Sequence, residues 1–273
     1  MTITTLSESG LSYVEAIILG LIQALTEFLP VSSSGHLVLA EELFNIQSGE
    51  GAAFEVAVHL GTLLSIMVLF RREIWRLIKA CIHPKQADAQ DRSDVIFIMI
   101  GSIPAGVIGL LWKDTLERSF GSLFGVGIAL IFTGLLLLST LRDVGERTHV
   151  SAWDGLWVGL AQAVAILPGV SRSGSTISIA LKLGIDRHRA ARLSFLMSLP
   201  VVAGAGLLKA LDLVSHSTPT DVYLTLGIGC LSAFIFGMGA LWLMLKWVVR
   251  PSFGYFGIYC MVVGIIAVLT TSV

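Results

Sequence analysis

The chain has 273 residues, 55% hydrophobic and 14% charged, with a mean hydropathy of +0.84. That balance excludes an ordinary soluble domain and indicates a polytopic membrane protein. The formal net charge of −1 favours no partner class, and Cys81, Cys230 and Cys260, odd in number and set in apolar sequence, indicate neither a disulfide framework nor a cysteine-bound metal.

In chain order, residues 1–11 carry no basic region, so no cleavable signal peptide is expected. Apolar runs follow at 12–29, 35–44, 53–70, 94–112, 121–141, 154–168, 174–185, 192–211, 221–247 and 253–271. A bilayer crossing takes about 20 helical residues, so 35–44 and 174–185 are too short and 154–168 is marginal. Pairing 12–29 with 35–44, and 154–168 with 174–185, gives two re-entrant helical hairpins. Their broken backbone is tolerated at membrane depth when buried in protein or lining a wet cavity. Six crossings remain. The expected fold is therefore an all-α polytopic membrane protein with six transmembrane helices and two re-entrant hairpins, in one integral domain over residues 1–273.

The basic residues agree with that arrangement. Arg71, Arg72, Arg76, Lys79, Lys85 and Arg92 share one loop, Arg142 and Arg147 another, Lys182, Arg187, Arg189 and Arg192 flank the second hairpin, and Lys246 and Arg250 close the last turn. Six crossings put these fourteen on one face, with Lys113, Arg118 and Lys209 opposite and Arg172 within a motif. The positive-inside rule makes the rich face cytoplasmic and both termini external in a multi-pass protein. Arg187, Arg189 and Arg192 are read as orientation charges and lipid-headgroup contacts.

Polar chemistry concentrates at residues 20–36, Gly-Leu-Ile-Gln-Ala-Leu-Thr-Glu-Phe-Leu-Pro-Val-Ser-Ser-Ser-Gly-His. Shifted by 139 residues, Gly159–Gly174 lies over Gly20–Gly35 without a gap, and eight of sixteen positions are identical, among them Gln23/Gln162 and Val31-Ser-x-Ser-Gly35/Val170-Ser-x-Ser-Gly174. This is an internal duplication, with halves of roughly 12–141 and 154–271. The assigned topology inverts one half relative to the other, so the two turns can meet near the midplane. The copies differ where chemistry lies: Glu27 faces Ile166, Ser33 faces Arg172 and His36 faces Ser175.

A carboxylate in a span needs a cation, a metal or a proton, so Glu27 is the sharpest signal, against the plainer reading of a neutral interhelical hydrogen bond. Gln23, four residues earlier on the same helical face, completes an oxygen pair for a hard divalent cation (Mg²⁺ or Ca²⁺) or simply bonds between helices. His36 is a general acid, a general base, a nucleophile on phosphorus or a structural imidazole. Arg172, between Ser171 and Ser173 and before Gly174, makes an anion site at a helix start, or pairs structurally with Glu27. Glu55 and His59 share a helical face and are candidates to support the site. Gln162 is expected to brace the second hairpin.

Gln23-Ala-Leu-Thr-Glu27-Phe-Leu-Pro-Val-Ser-Ser-Ser-Gly-His36 and Pro168-Gly-Val-Ser-Arg-Ser-Gly-Ser-Thr176 resemble the two signatures of the bacterial undecaprenyl-pyrophosphate phosphatase family, the bacitracin-resistance type. The similarity extends along essentially the whole chain, including Phe54-Glu55 and Ser194–Pro200. It implies hydrolysis of the C55 isoprenoid diphosphate carrier to the monophosphate for cell-wall synthesis, with bacitracin resistance as a consequence and a divalent cation as cofactor. Carried onto this chain, Gln23 and Glu27 are the metal-associated pair; Ser32, Ser33 and His36 supply hydroxyl and imidazole chemistry; Arg172, Ser171, Ser173 and Gly174 hold phosphate. The family's first motif admits an acid or Gln at position 23, and this chain has Gln. The nucleophile is left open among Ser33, His36 and water. The implied location is the bacterial inner membrane, and the implied partners are the lipid diphosphate and membrane lipid, with no nucleic acid and with a homo-oligomer compatible. Two alternatives stand beside this: a lipid phosphatase of the type 2 acid-phosphatase kind, although its later His and upstream Lys are missing, and a polyprenyl-phosphate flippase, which the inverted repeat suggests.

Overall fold

The computed structural model describes residues 11–44, 46, 51–111, 122–143, 145–215, 220–248 and 250–271. Among them the chain is helical apart from turns and one isolated bridge between Arg147 and Ile185. The helices are α1 (Tyr13–Phe28), α2 (Ser33–Phe44), α3 (Gly51–Leu69), α4 (Arg71–Ile82), α5 (Ala89–Leu111), α6 (Leu123–Leu138), α7 (Ala152–Val164), α8 (Arg172–Lys182), α9 (Arg187–Ser215), α10 (Thr220–Trp247) and α11 (Phe256–Thr271), with a 3₁₀ turn at Pro251–Tyr255.

The first and second hairpins start alike. Ser12 and Glu15 form a capping box at α1, the Glu15 carboxylate accepting from the Ser12 N–H at 2.7 Å while Glu15 N–H donates to the Ser12 hydroxyl at 3.3 Å. Ser151 and Asp154 do the same at α7, at 2.8 and 3.2 Å. Arg147 adds a two-pronged bond to Asp154 at 2.9 and 2.7 Å, fixing the entry to α7. Ser12 and Ser151 again lie 139 positions apart, so the correspondence of the two halves extends beyond the aligned motifs. Packing follows the same order: α1 packs on α10 and α3 on α10, while α7 packs on α5 and α9 on α5.

Small residues let these helices approach. A Cβ on Gly20 would lie 2.6 Å from the Gly229 carbonyl oxygen, and one on Gly134 2.7 Å from that of Gly257. Between helices in lipid, such contact replaces the hydrophobic drive that water would supply.

Among the described residues four helices are long and apolar enough to cross a membrane: Ala89–Leu111, Arg187–Leu208, Val222–Trp247 and Ser252–Thr271. A fifth arises if Ala53–Leu69 and Arg71–Ile82, bent by 82°, count as one. The expected sixth, α6, has 16 described residues, and positions 112–121 lie outside the described residues. Large apolar side chains such as Leu110, Ile266 and Leu231 face outward, as in a lipid-facing surface. The protein is therefore an all-helical, multi-pass membrane protein.

Three expectations change. The basic stretch from Arg71 to Lys79 is not loop but the strongly amphipathic helix α4, turned across the end of α3, because its charges fall on one helical side. Arg189 is no lipid-headgroup contact: it is buried, and it donates to the wholly buried Asp94 at 2.5 Å, while Arg192 donates to the same carboxylate at 3.3 Å. A buried Asp on α5 needs cations, and α9 supplies them. Gln162 does not brace its hairpin by hydrogen bonding, since neither amide atom has a partner among the described residues.

The glycine contacts generate a test. Gly134→Ala should destabilise the protein by about 1–3 kcal/mol because backbone must move. Gly106→Ala, with nothing within 4 Å of the new methyl, should be neutral or stabilising by up to about 1 kcal/mol. Thermal unfolding of both variants in detergent compares the two directly, and equal effects would discount the close packing.

Candidate active site

Pro30 and the extended C-cap at Leu29 end α1, and only residues 29–32 separate it from α2. Helix α2 therefore starts within the serine run, at Ser33, and α8 starts at Arg172. Ser32 holds φ +69°, a left-handed backbone that a residue other than Gly adopts only under constraint, at a cost of order 1–3 kcal/mol. Its hydroxyl accepts from Gly35 N–H at 3.3 Å. In the second copy Ser171 accepts from Gly174 N–H at 3.1 Å, and positive φ has moved to Gly169 at +90°. The same cap is reached by two different turns.

The two turns touch. Ser173 donates to the Leu29 carbonyl at 3.2 Å, and a Cβ on Gly35 would lie 3.1 Å from the Gly169 Cα. From α6, the Thr133 hydroxyl donates to the Gly169 carbonyl and accepts from Ser171 N–H, both at 3.1 Å.

Glu27 sits where they meet. Arg172 Nη2 donates to its Oε1 at 2.6 Å. Ser33 Oγ donates to Oε2 at 2.5 Å, and Gln23 Nε2 to the same oxygen at 3.1 Å. His59 Nε2 lies 3.5 Å from Oε2, its Nδ1 held by the Glu55 carbonyl at 2.8 Å. Burying a carboxylate costs several kcal/mol, which this set of donors offsets. The guanidinium of Arg172 also lies 6.0 Å from the Phe195 ring centroid, and Phe195 meets Phe28 edge to face at 5.8 Å.

Gln23, Glu27, Ser33, His59 and Arg172 thus form one cluster, bordered by Ser171 and Ser173. The Glu55 carboxylate, offered as support, makes no hydrogen bond to the cluster among the described residues. His36 stands apart as well. Its Nδ1 faces the Ser32 carbonyl at 2.8 Å, which can only accept, so the ring proton of the neutral form sits on Nδ1. Nε2 then accepts from the Tyr259 hydroxyl at 2.8 Å, beneath a stacked pair of rings 5.6 Å apart. The nucleophilic lone pair of His36 is therefore engaged. Tyr259 and Thr133 were not singled out from the sequence; a hydroxyl inside the apolar runs 253–271 and 121–141 was the available signal.

Among the described residues Gln23 Oε1 is buried without a partner, and beside the Glu27 carboxylate it is an oxygen donor of the type hard cations such as Mg²⁺ or Ca²⁺ take, although no group of three or more His, Cys, Asp or Glu side chains gathers there.

The family described as bacitracin resistance protein BacA matches residues 16–266. The chain belongs to this family. Among curated members of the bacitracin resistance family, it is 40% identical over 265 residues to the undecaprenyl-diphosphatase of Desulfosudis oleivorans, covering 92% of this chain and 96% of the relative. It is 40% identical over 264 residues to that of Bacteroides thetaiotaomicron, covering 95% and 99%, and 41% identical over 258 residues to that of Korarchaeum cryptofilum, covering 92% and 96%.

The ion pair can be tested within this family site. Arg172→Ala leaves a buried carboxylate without its cation and should destabilise the protein by about 3–5 kcal/mol. Adding Glu27→Gln should restore much of that stability and none of the activity. Thermal unfolding of the single and double variants reads this out; equal stability of both would remove the pair from the fold's supports.

Proposed function

We propose that this chain hydrolyses undecaprenyl diphosphate to undecaprenyl phosphate and inorganic phosphate, returning the lipid carrier to cell-wall synthesis. Family membership and the diphosphatase names of its relatives support this over a flippase or a type 2 acid-phosphatase reading. The observation that carries the mechanism is the short Ser33 Oγ–H···Glu27 bond.

Without substrate, Arg172 pairs with Glu27 across the two turns. A diphosphate brings more negative charge than one carboxylate, and its oxygens match the guanidinium fork. Arg172 transfers to the phosphate, with Ser171, Ser173 and the N–H groups at the start of α8 behind it. Glu27, relieved of its cation, then takes the Ser33 proton as Oγ forms a bond to the terminal phosphorus. The bridging P–O bond breaks, its electrons remaining on the departing lipid monophosphate, whose charge Arg172 steadies. Water then attacks the phosphoserine phosphorus, the P–Oγ bond breaks with its electrons on Oγ, which takes the proton back from Glu27, and inorganic phosphate leaves carrying the protons of the water. When bound, a divalent cation held by Gln23 and Glu27 would neutralise charge on the phosphate oxygens. His36, tied to Tyr259, orients the first turn in this scheme.

Acid quench of the enzyme with lipid diphosphate labelled on the terminal phosphorus should leave label on the peptide containing Ser33. Ser33→Ala should slow phosphate release at least 10²-fold, and Arg172→Lys, which keeps the charge and loses the fork, on the order of 10²-fold. Full-rate hydrolysis by Ser33→Ala would exclude the serine route. Gln23→Glu should be active and saturate at lower Mg²⁺, whereas unchanged metal dependence would move the cation elsewhere.

The finer topology belongs to the same proposal: six crossings and two re-entrant hairpins, related as an inverted repeat, in the cytoplasmic membrane with both termini outside. The shared capping boxes and the matching helix packing of the two halves support it. Single cysteines at Asp88, His149 and Ser252 in a cysteine-free background should resist an impermeant external thiol reagent, and one at His216, outside the described residues, should react. External labelling at Asp88 would overturn the orientation.

A further inference from the structure

A cavity of about 540 Å³ lies between the C-terminal end of α1, from Thr26 onward, and the junction of α10 with α11. Its walls are Leu29, Val31, Trp247 and Phe256, the last two with ring centroids 6.0 Å apart. At the loop end stand Arg250, Ser252 and Tyr255. The Arg250 side chain is exposed, forms no hydrogen bond or ion pair among the described residues, and has no carboxylate beside it in the cavity lining. At the inner end stand Val31, within the first catalytic turn, and Tyr259, whose hydroxyl holds His36.

An apolar aromatic passage with one free guanidinium at its mouth fits an amphiphile with a small anionic head and a single chain. The volume is within the range of small-molecule sites. One cation suits a monophosphate, whereas the diphosphate meets its own donors at Arg172. The inner end touches the catalytic turn, so this ligand belongs to the reaction and not to the bulk lipid. We propose that this cavity binds a polyprenyl monophosphate, the class of the reaction product, with its phosphate at Arg250 and its first isoprene units against Leu29, Trp247 and Phe256. Its isoprenoid nature rests on the diphosphatase reading.

The probe is geranylgeranyl monophosphate carrying a diazirine in its second isoprene unit, photolysed with the detergent-purified protein and mapped by peptide mass spectrometry. Label is expected on peptides containing Leu29–Val31 and Trp247–Phe256. Arg250→Gln should cut it at least fivefold, Arg250→Lys should restore most of it, and Arg172→Lys should leave it in place; thermal unfolding of each variant verifies folding. Label confined to the peptides of Ser33 and Arg172, and lost in Arg172→Lys, would place the monophosphate at the catalytic cluster alone and overturn the proposal. Equal labelling by the uncharged geranylgeraniol probe would remove the headgroup assignment. Competition by phosphatidic acid as strong as by unlabelled geranylgeranyl monophosphate would make this a phospholipid site and overturn the assignment. Phosphate release from undecaprenyl diphosphate is measured on the same preparation: its failure would sink the diphosphatase reading, while the binding result stands on its own.

Discussion

The structure turns on one charge held away from water. Glu27 is buried in a helix that enters an apolar environment, and its carboxylate is met by a guanidinium, a hydroxyl, an amide and an imidazole drawn from three separate parts of the chain. A carboxylate in that position without such company costs several kcal/mol. The requirement brings the two turns into contact, and the contact fixes the starts of α2 and α8. In the proposed mechanism the pair that satisfies the fold is also the pair a diphosphate separates, so stability and reactivity there draw on the same bond.

The likeness of the two halves makes this possible. Both halves retain the capping serine, the turn and the helix start, and each half contributes a different charge at the centre. A symmetric pair of carboxylates would repel, and a symmetric pair of arginines would offer no base. Divergence at two aligned positions, Glu27 against Ile166 and Ser33 against Arg172, converts a structural repeat into a site with an acid, a hydroxyl and a cation. The cost of the asymmetry shows in the backbone: Gly169 takes the left-handed conformation in one turn, while in the other a serine must do so.

What the sequence revealed was what local spacing encodes. Gln23 and Glu27, four apart, do bond on one helical face, and the 139-residue offset anticipated the contact of the two turns, where Ser33 and Arg172 both bond Glu27. The helical class followed from apolar runs alone. Pairings with no local period were hidden: His36 with Tyr259 lies 223 positions apart, and Asp94 with Arg189 lies 95 apart. A cluster of arginines beside a span reads as an orientation signal by composition, and only the position of Asp94 on the neighbouring helix makes it an internal ion network. Helix α4 was hidden in the same way, since a basic stretch satisfies the charge rule whether it is a loop or a helix turned across its neighbour.

The separation of Glu27 from Arg172 has a consequence for biosynthesis. The carboxylate is made 145 residues before its cation. At about 5–20 residues per second, on the order of ten seconds pass between the two. During that interval the first hairpin is present without the residue that neutralises it, and His59 is the first basic side chain of the cluster to arrive. The first hairpin therefore acquires its full set of bonds only when the second has been synthesised.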